Sequence, residues 1–311
     1  MTKKQKSQIN KFLVGVLVLV FAFIYTNYLE EPINEFLNST SENDTVQPVT
    51  TNRKVAVNGD LNVYFVDVGQ GDCIMISNNG KYMLIDAGNN EDGDKLVTYF
   101  SDMGIQKFDY VIGTHAHEDH IGGLDNIIKN FDIGTFYMPD VVTTTRTFEE
   151  IVEALENKSI AFETPEIDSS FDFADAVVNV IYVGNNSSDL NSTSIVLKMT
   201  YGDVSFLFTG DATNKVESQI KSKDISADVL KVGHHGSETS STVSFLEKVN
   251  PKYAVIQVGK NNTYNHPRQQ TLDRLEKIGA KVYRTDEDGT VIASTDGKEI
   301  TFITQETDTN G

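Results

Sequence analysis

Four metal-ligand side chains within six residues constrain this chain more than anything else in it. His115, His117, Asp119 and His120 lie in the stretch Thr114-His115-Ala116-His117-Glu118-Asp119-His120-Ile121-Gly122-Gly123, straight after the apolar run Tyr110-Val111-Ile112-Gly113. That run reads as a short buried strand, and Gly122-Gly123 followed by Leu124, Ile127 and Ile128 reads as the start of a helix. The cluster therefore occupies a strand-to-helix loop, where side chains can converge on one point. Neutral imidazoles with a carboxylate are the ligand set of zinc and similar divalent ions. Histidines scattered on an exposed loop are the plainer alternative, and the density of the cluster argues against it.

The remaining histidines reinforce this. The chain has six in all, the other three being His234, His235 and His266, and each lies in a motif that ends a strand-like run. From residue 60 onward, short apolar runs alternate with helical spacing, the mark of a layered α/β domain. Strands are expected at 61–68, 72–77 and 82–86, with Asn78-Asn79-Gly80 turning between the last two. Helices are expected at 95–103, 148–155, 215–220, 243–249 and 269–278, with further strands at 135–138, 177–183, 194–200, 204–209, 229–232 and 253–258. Others centre on Val282, Val291 and Ile300. The lone cysteine, Cys73, sits on an apolar run and reads as a small buried hydrophobe.

The amino-terminal segment differs in kind. Lys3, Lys4, Lys6 and Lys11 precede an uncharged stretch, 12–29, just long enough to cross a bilayer as a helix. No small-x-small cleavage site follows it, so an uncleaved anchor is expected, with the basic end cytoplasmic and the rest outside the cell. Residues 30–58 are polar and acidic and read as a flexible tether, 59–305 as the globular domain, and 306–311 as a tail. Beyond the first thirty residues, 22 basic residues face 44 acidic ones, a net −22. Such a surface repels polyanions and anionic headgroups, and no basic stripe runs along the chain.

The His-x-His-x-Asp-His pattern resembles the signature of the metallo-β-lactamase fold hydrolases. Leu84-Ile85-Asp86-Ala87-Gly88 and Phe208-Thr209-Gly210-Asp211-Ala212 match two further motifs in the family's order. More narrowly, Phe65-Val66-Asp67-Val68-Gly69-Gln70-Gly71-Asp72, Lys231-Val232-Gly233-His234-His235-Gly236-Ser237 and Asn262-Thr263-Tyr264-Asn265-His266-Pro267 resemble the hydrolase domain of ComEC-type competence proteins. The resemblance covers roughly residues 60–304. It implies a four-layer αββα sandwich, with His115 and His117 holding one metal, Asp119 and His120 a second, and Asp211 bridging both. Asp211 also reads as a helix N-cap. One departure stands out: no histidine occurs between Ile121 and Gly233, where most two-metal relatives place one. Asn191, Ser192 and Ser194 lie there instead. His234 or His235 is then expected to complete the second site and one of them to serve the first, leaving one site weak. Zn²⁺ is the expected ion, with Mn²⁺ the alternative.

Such ions lower the pKa of bound water and supply hydroxide, and a pair of them suits phosphodiester cleavage. Asp119 is counted as catalytic as well as ligating. His266 is a candidate proton donor or oxyanion stabiliser, and equally a last ligand. Lys260, Asn262 and Tyr264 are candidate substrate contacts, while Asp67 and Asp86 read as supporting or turn-forming residues. The leading expectation is a membrane-anchored extracellular phosphodiesterase or nuclease, DNA being the substrate the ComEC resemblance implies. The alternatives are a hydrolase of smaller esters, such as phosphorylcholine esters or a lactone, and a non-catalytic binding module. No protein partner is implied.

Overall fold

The computed structural model describes residues 59–185 and 188–305. The chain opens with β1 (Leu61–Phe65), β2 (Ile74–Asn78) and β3 (Lys81–Ile85), the last two joined by Asn79 and Gly80. Both turn residues have positive φ, 47° and 75°, as the mirror-image turn that matches strand twist demands. Then follow α1 (Gly93–Asp102), β4 (Lys107–Ile112), α2 (Glu118–Ile121), α3 (Leu124–Asn130), β5 (Asp132–Tyr137), α4 (Arg146–Lys158) and β6 (Phe162–Glu163). The second half runs through β7 (Ser170–Phe173), β8 (Ala176–Tyr182), β9 (Val196–Tyr201), β10 (Val204–Phe208), α5 (Asn214–Ile220), β11 (Val229–Lys231), α6 (Val243–Val249) and β12 (Tyr253–Ile256). It closes with α7 (Gln269–Lys277), β13 (Lys281–Arg284), α8 (Thr285–Asp288), β14 (Thr290–Thr295) and β15 (Ile300–Gln305).

These strands build two sheets, ordered β15-β14-β1-β2-β3-β4-β5-β6 and β13-β12-β11-β10-β9-β8-β7. Strands β3 to β6 run parallel, as do β10 to β13. Each parallel step needs a crossover, which is why a helix separates most of these strands in sequence. The sheets bury a shared core built on period-two alternation: Leu61, Val63 and Phe65 of β1 meet Val204, Phe206 and Phe208 of β10, among others. Leu207, Leu230 and Ala254 point the other way, against Val216, Leu246 and Leu275 of α5, α6 and α7. On the far side, Phe100 of α1, Phe108 of β4 and Phe131 after α3 pack edge to face, with Phe108 5.3 Å from each of the other two. The four layers are those expected.

Two strands are additions to the sequence reading, β6 and β7, and both lie at sheet edges. Strand β6 is two exposed residues, too short to carry a pattern. In β7, Phe173 is buried while Ser170 and Asp172 are exposed, and the polar pair Asp168-Ser169 precedes it. The helix expected at Gly122-Gly123 is also preceded by a short one, α2, which starts at Glu118 inside the histidine cluster. The expected anchor (1–29), tether (30–58) and tail (306–311) lie outside the described residues. Among the described residues, no helix is long and apolar enough to cross a membrane.

The layout fixes where chemistry can happen. Asp86 follows β3, the histidine loop follows β4, Asp211 follows β10, His234 and His235 follow β11, and Gln257 follows β12. In each sheet these are carboxyl ends of parallel strands, so the loops gather on one rim, where α/β sheets place their ligands.

Candidate metal centre

Asp211, only 2% exposed, is the hub. Its carboxylate faces the Nε2 atoms of four imidazoles: His120 at 3.3 Å, His234 and His235 at 3.7 Å, and His115 at 3.9 Å. All four rings are held from behind through Nδ1. The His120 Nδ1 contacts Asp86 Oδ2 at 2.8 Å, and that of His235 the Gln257 carbonyl at 3.0 Å. The His115 Nδ1 meets the Thr114 hydroxyl at 3.1 Å, and that of His234 the Thr239 hydroxyl at 3.2 Å. The Thr114 hydroxyl is itself committed as donor to Asp86 Oδ2 at 2.7 Å, so it accepts from His115. Carboxylate and carbonyl acceptors behind the rings fix Nδ1 as the donor, so a ring made neutral for ligation offers its Nε2 lone pair, the outer support that ligating histidines carry.

Two groupings flank the hub. His117 Nδ1 lies 3.0 Å from His115 Nε2, making one pair. Asp119 Oδ2 lies 3.2 Å from His235 Nε2 and 4.0 Å from His120 Nε2, making the other. His234 stands beside Asp211, and its Nε2 contacts Asn191 Nδ2 at 3.3 Å. His120 Nε2, His235 Nε2 and Asp211 Oδ1 are buried without any hydrogen-bond partner, although carboxylate and imidazole atoms approach closely. Ligand atoms that crowd together without aligning to one another fit a cation between them. The donor set of nitrogens and carboxylate oxygens fits Zn²⁺ or Mn²⁺.

Backbone strain is concentrated here too. Asp86, His234 and His235 adopt left-handed φ values of 59°, 52° and 51°. For residues with a Cβ this costs roughly 1–2 kcal/mol each, a cost that persists only where surrounding structure enforces it. Gly71 allows a close approach nearby: a Cβ there would lie 2.5 Å from the Asp119 carbonyl oxygen. That carbonyl accepts the Asp72 N–H at 3.1 Å, tying the β1–β2 connection to the histidine loop.

Charges in the bare centre are strongly perturbed. Burial drives His115 well below the usual histidine range. Burial would do the same to His120, but Asp211, Asp119 and Asp86 outweigh it and raise that ring well above the range. His235 behaves alike: burial opposes its charge, and Asp211, Asp119 and Asp72 push it up to about 10. Burial opposes the Asp211 charge, yet His235 and His120 hold it well below the carboxylate range. His266 is taken down to about 4 by burial and then by His234 and His235.

A cleft of about 580 Å³ opens over the centre, lined by His117, Asp119, Asp211, Tyr264 and His266 among others. Every candidate ligand is therefore brought to one place. Tyr264 is 59% exposed at the cleft wall, its ring stacked on His266 with centroids 5.8 Å apart. His266 is 5.6 Å from His234 between ring centroids, and its Nδ1 is buried without a partner. Lys260 lines an adjoining recess with Asp67 and Gln70 instead of the cleft. Asn262 spends its amide on the loop itself, donating to the Gly259 and His266 carbonyls at 2.9 and 2.6 Å and accepting from His266 N at 3.0 Å. Asp67 accepts from Gly69 N at 3.0 Å, a turn-forming contact as expected. The sequence reading gave no role to Asp72, Lys231, Gln257 or Thr114, all buried around the ligands. A lysine within the apolar run Val229-Leu230-Lys231-Val232 was the one available signal.

A family model described as the metallo-beta-lactamase superfamily matches residues 66–260. The chain belongs to the metallo-β-lactamase superfamily. Its curated relatives in this superfamily include ComE operon protein 3 of Bacillus subtilis (strain 168), 31% identical over 251 residues, covering 74% of this chain and 32% of that protein. Competence protein ComA of Neisseria gonorrhoeae is 28% identical, over 72% of this chain and 30% of its own length. The chain thus spans about a third of the length of the curated relatives it matches. Among solved structures, the metallo-β-lactamase fold protein YhfI of Bacillus subtilis aligns with a TM-score of 0.51 and 13% identity, over 72% of this chain and 95% of that one. The diiron β-hydroxylase CmlA of Streptomyces venezuelae aligns with a TM-score of 0.51 and 14% identity, over 73% and 53%. At such identities the likeness is one of fold.

Proposed function

We propose that this metal-dependent hydrolase cleaves phosphodiesters at a centre of two divalent ions, held outside the cell by the segment 12–29. What carries the reading is Asp211: one buried carboxylate faced by imidazoles from two ligand groupings is arranged to serve two neighbouring ions. His115, His117 and His234 would hold the first, and Asp119, His120 and His235 the second. When bound, paired ions supply a nucleophile at neutral pH and stabilise the attacking and leaving oxygens of an in-line displacement together. The protein's own part is orientation. Asp86, Thr114 and Gln257 fix the ring faces, and Asp211 sets the spacing of the two halves. His266 overlooks the cleft as a neutral imidazole near pH 7 and is placed to donate a hydrogen bond to a developing oxyanion or leaving oxygen.

The ComEC-type relatives, named for competence, support a DNA substrate. The charge supports a smaller one: net −22 outside the first thirty residues, with no Lys or Arg among the residues lining the cleft. A long polyanion would gain no backbone contacts there. The second reading is therefore hydrolysis of a short or zwitterionic ester, such as a phosphorylcholine ester.

A hydrolysis screen decides between them. With Zn²⁺ or Mn²⁺ added, bis-p-nitrophenyl phosphate should turn over, and single-stranded DNA and p-nitrophenyl phosphorylcholine compared beside it name the substrate class. Turnover of a lactone alone would overturn the phosphodiester assignment.

A further inference from the structure

Lys231, the last residue of β11 within the apolar run 229–232, is 1% exposed, and Asp72 beside it is also 1% exposed. The Lys231 Nζ lies 2.6 Å from Asp72 Oδ2 and donates to the Val232 carbonyl at 3.0 Å. Taking two such charges out of water is costly, and a matched apolar pair would serve a core at least as well. Stability alone therefore gives no reason for the pair.

Its surroundings give one. Asp72 Oδ1 is buried with no hydrogen-bond partner and lies 3.3 Å from the Nδ1 of His235. Asp72 Oδ2 lies 3.8 Å from the Nδ1 of His120. The carboxylate is thus behind both rings, on the side away from Asp211. The four atoms of Asp72, His120, Asp211 and His235 that could share a cation all lie within 4.8 Å of one another. Asp72 could therefore compete to become a ligand itself. Lys231, on Oδ2, opposes that by occupying the oxygen. The backbone holds Asp72 as well, through its N–H on the Asp119 carbonyl at 3.1 Å and its carbonyl accepting from Gly88 N at 2.8 Å.

We infer that Asp72 and Lys231 form a buried positioning pair, Asp72 steadying the Nδ1 side of His235 and His120 and Lys231 keeping that carboxylate behind the rings and out of the ligand set. The inference rests on the reading of His235 and His120 as ligands. Asp72 takes the place of the carboxylate that commonly backs a ligating histidine, and Gln257 shares His235 with it. Lys231 ends β11 three residues before His234, so this strand and the loop after it deliver both the ligands and the counter-charge of their support.

The full chain is compared with Asp72→Asn, with the double variant Asp72→Asn/Lys231→Met, and with His235→Ala. Removing both charges leaves no lone buried ion, so the double variant is the one expected to fold. Readouts are metal-free thermal unfolding, Zn²⁺ affinity by chelator competition, and the visible spectrum of the Co²⁺-substituted protein, which reports ligand geometry. The double variant should melt close to the parent, bind Zn²⁺ about 10–100-fold more weakly, and show an altered Co²⁺ spectrum. Parental Zn²⁺ affinity with an unchanged spectrum would overturn the inference and leave the pair purely structural. Should the double variant fail to fold, Asp72→Asn/Lys231→Gln, which also leaves no lone charge and keeps the shape of the Asp72 side chain, decides by the same criteria. If His235→Ala binds Zn²⁺ as tightly as the parent, the ligand assignment itself falls, a result distinct from failure of the pair.

Discussion

Replacing Asp211 by asparagine keeps the side chain's shape and removes its charge. The carboxylate faces four imidazoles drawn from both ligand groupings, so both ions should weaken together. Supporting partners of a ligand are worth about 10–100-fold in affinity, and a direct ligand at least the upper end. An ion present at about a thousand times its Kd adds ~4.1 kcal/mol to stability by mass action, and at ten times its Kd it adds ~1.4 kcal/mol. A hundredfold weakening thus removes ~2.7 kcal/mol per site. For a domain of this size each kcal/mol moves Tm by roughly 2–4 °C, so one site is worth ~5–11 °C and two ~11–22 °C. The Asp119 carboxylate lies against His235 and His120, both of one ligand grouping, and Asp119→Asn should forfeit one site's share. The assay is differential scanning calorimetry of parent and both variants with and without saturating Zn²⁺, with bound metal counted. If Asp211→Asn loses no more metal-dependent stabilisation than Asp119→Asn, Asp211 does not bridge.

Three further outcomes are expected. His266→Ala should keep its metal, lose about 10²–10⁴ in rate on alkyl phosphodiesters and less on p-nitrophenyl esters, whose leaving group needs little help. Loss of metal restored by excess Zn²⁺ would make His266 a ligand instead. In the metal-free protein His235 stays protonated up to about pH 10, yet ligation needs a neutral ring. Zn²⁺ uptake at pH 7 should therefore expel protons and tighten as pH rises, which calorimetry in buffers of differing ionisation enthalpy measures; uptake without proton release would refute it. If 12–29 anchors the chain, protease added to intact cells should release the domain by cutting within 30–58, whereas mature protein free in the medium and beginning near residue 27 would exclude the anchor.

The candidate ligands were legible because they are dense: four in six residues, an aspartate closing Phe208-Thr209-Gly210-Asp211, and two adjacent histidines after β11. Most strands and helices were legible for the same reason, since period-two and helical spacing survive in 61–65, 204–208 or 243–249 without knowledge of neighbours. Edge strands β6 and β7 were not, because an edge strand is short and half solvated and carries little pattern. The supports were hidden for a different reason. Asp72 and Lys231 meet only because the β1–β2 connection packs beneath β11, and Gln257 reaches Val66 and Cys73 carbonyls in the opposite half of the chain. Such pairings are facts of topology that no local stretch encodes. Asn262 illustrates the converse, since a polar side chain beside a cleft turned out to be consumed by its own loop.

Ligands come from the loop after β4 in one sheet and from the loops after β10 and β11 in the other. A filled centre would therefore lash the two sheets together at their shared rim, closing by coordination a loop through more than a hundred residues of chain. The chain has one cysteine, buried Cys73, so no disulfide within it can do this work. Chelators should accordingly act on this domain as reductants act on a disulfide-linked one, loosening its resistance to unfolding without disturbing a single core side chain.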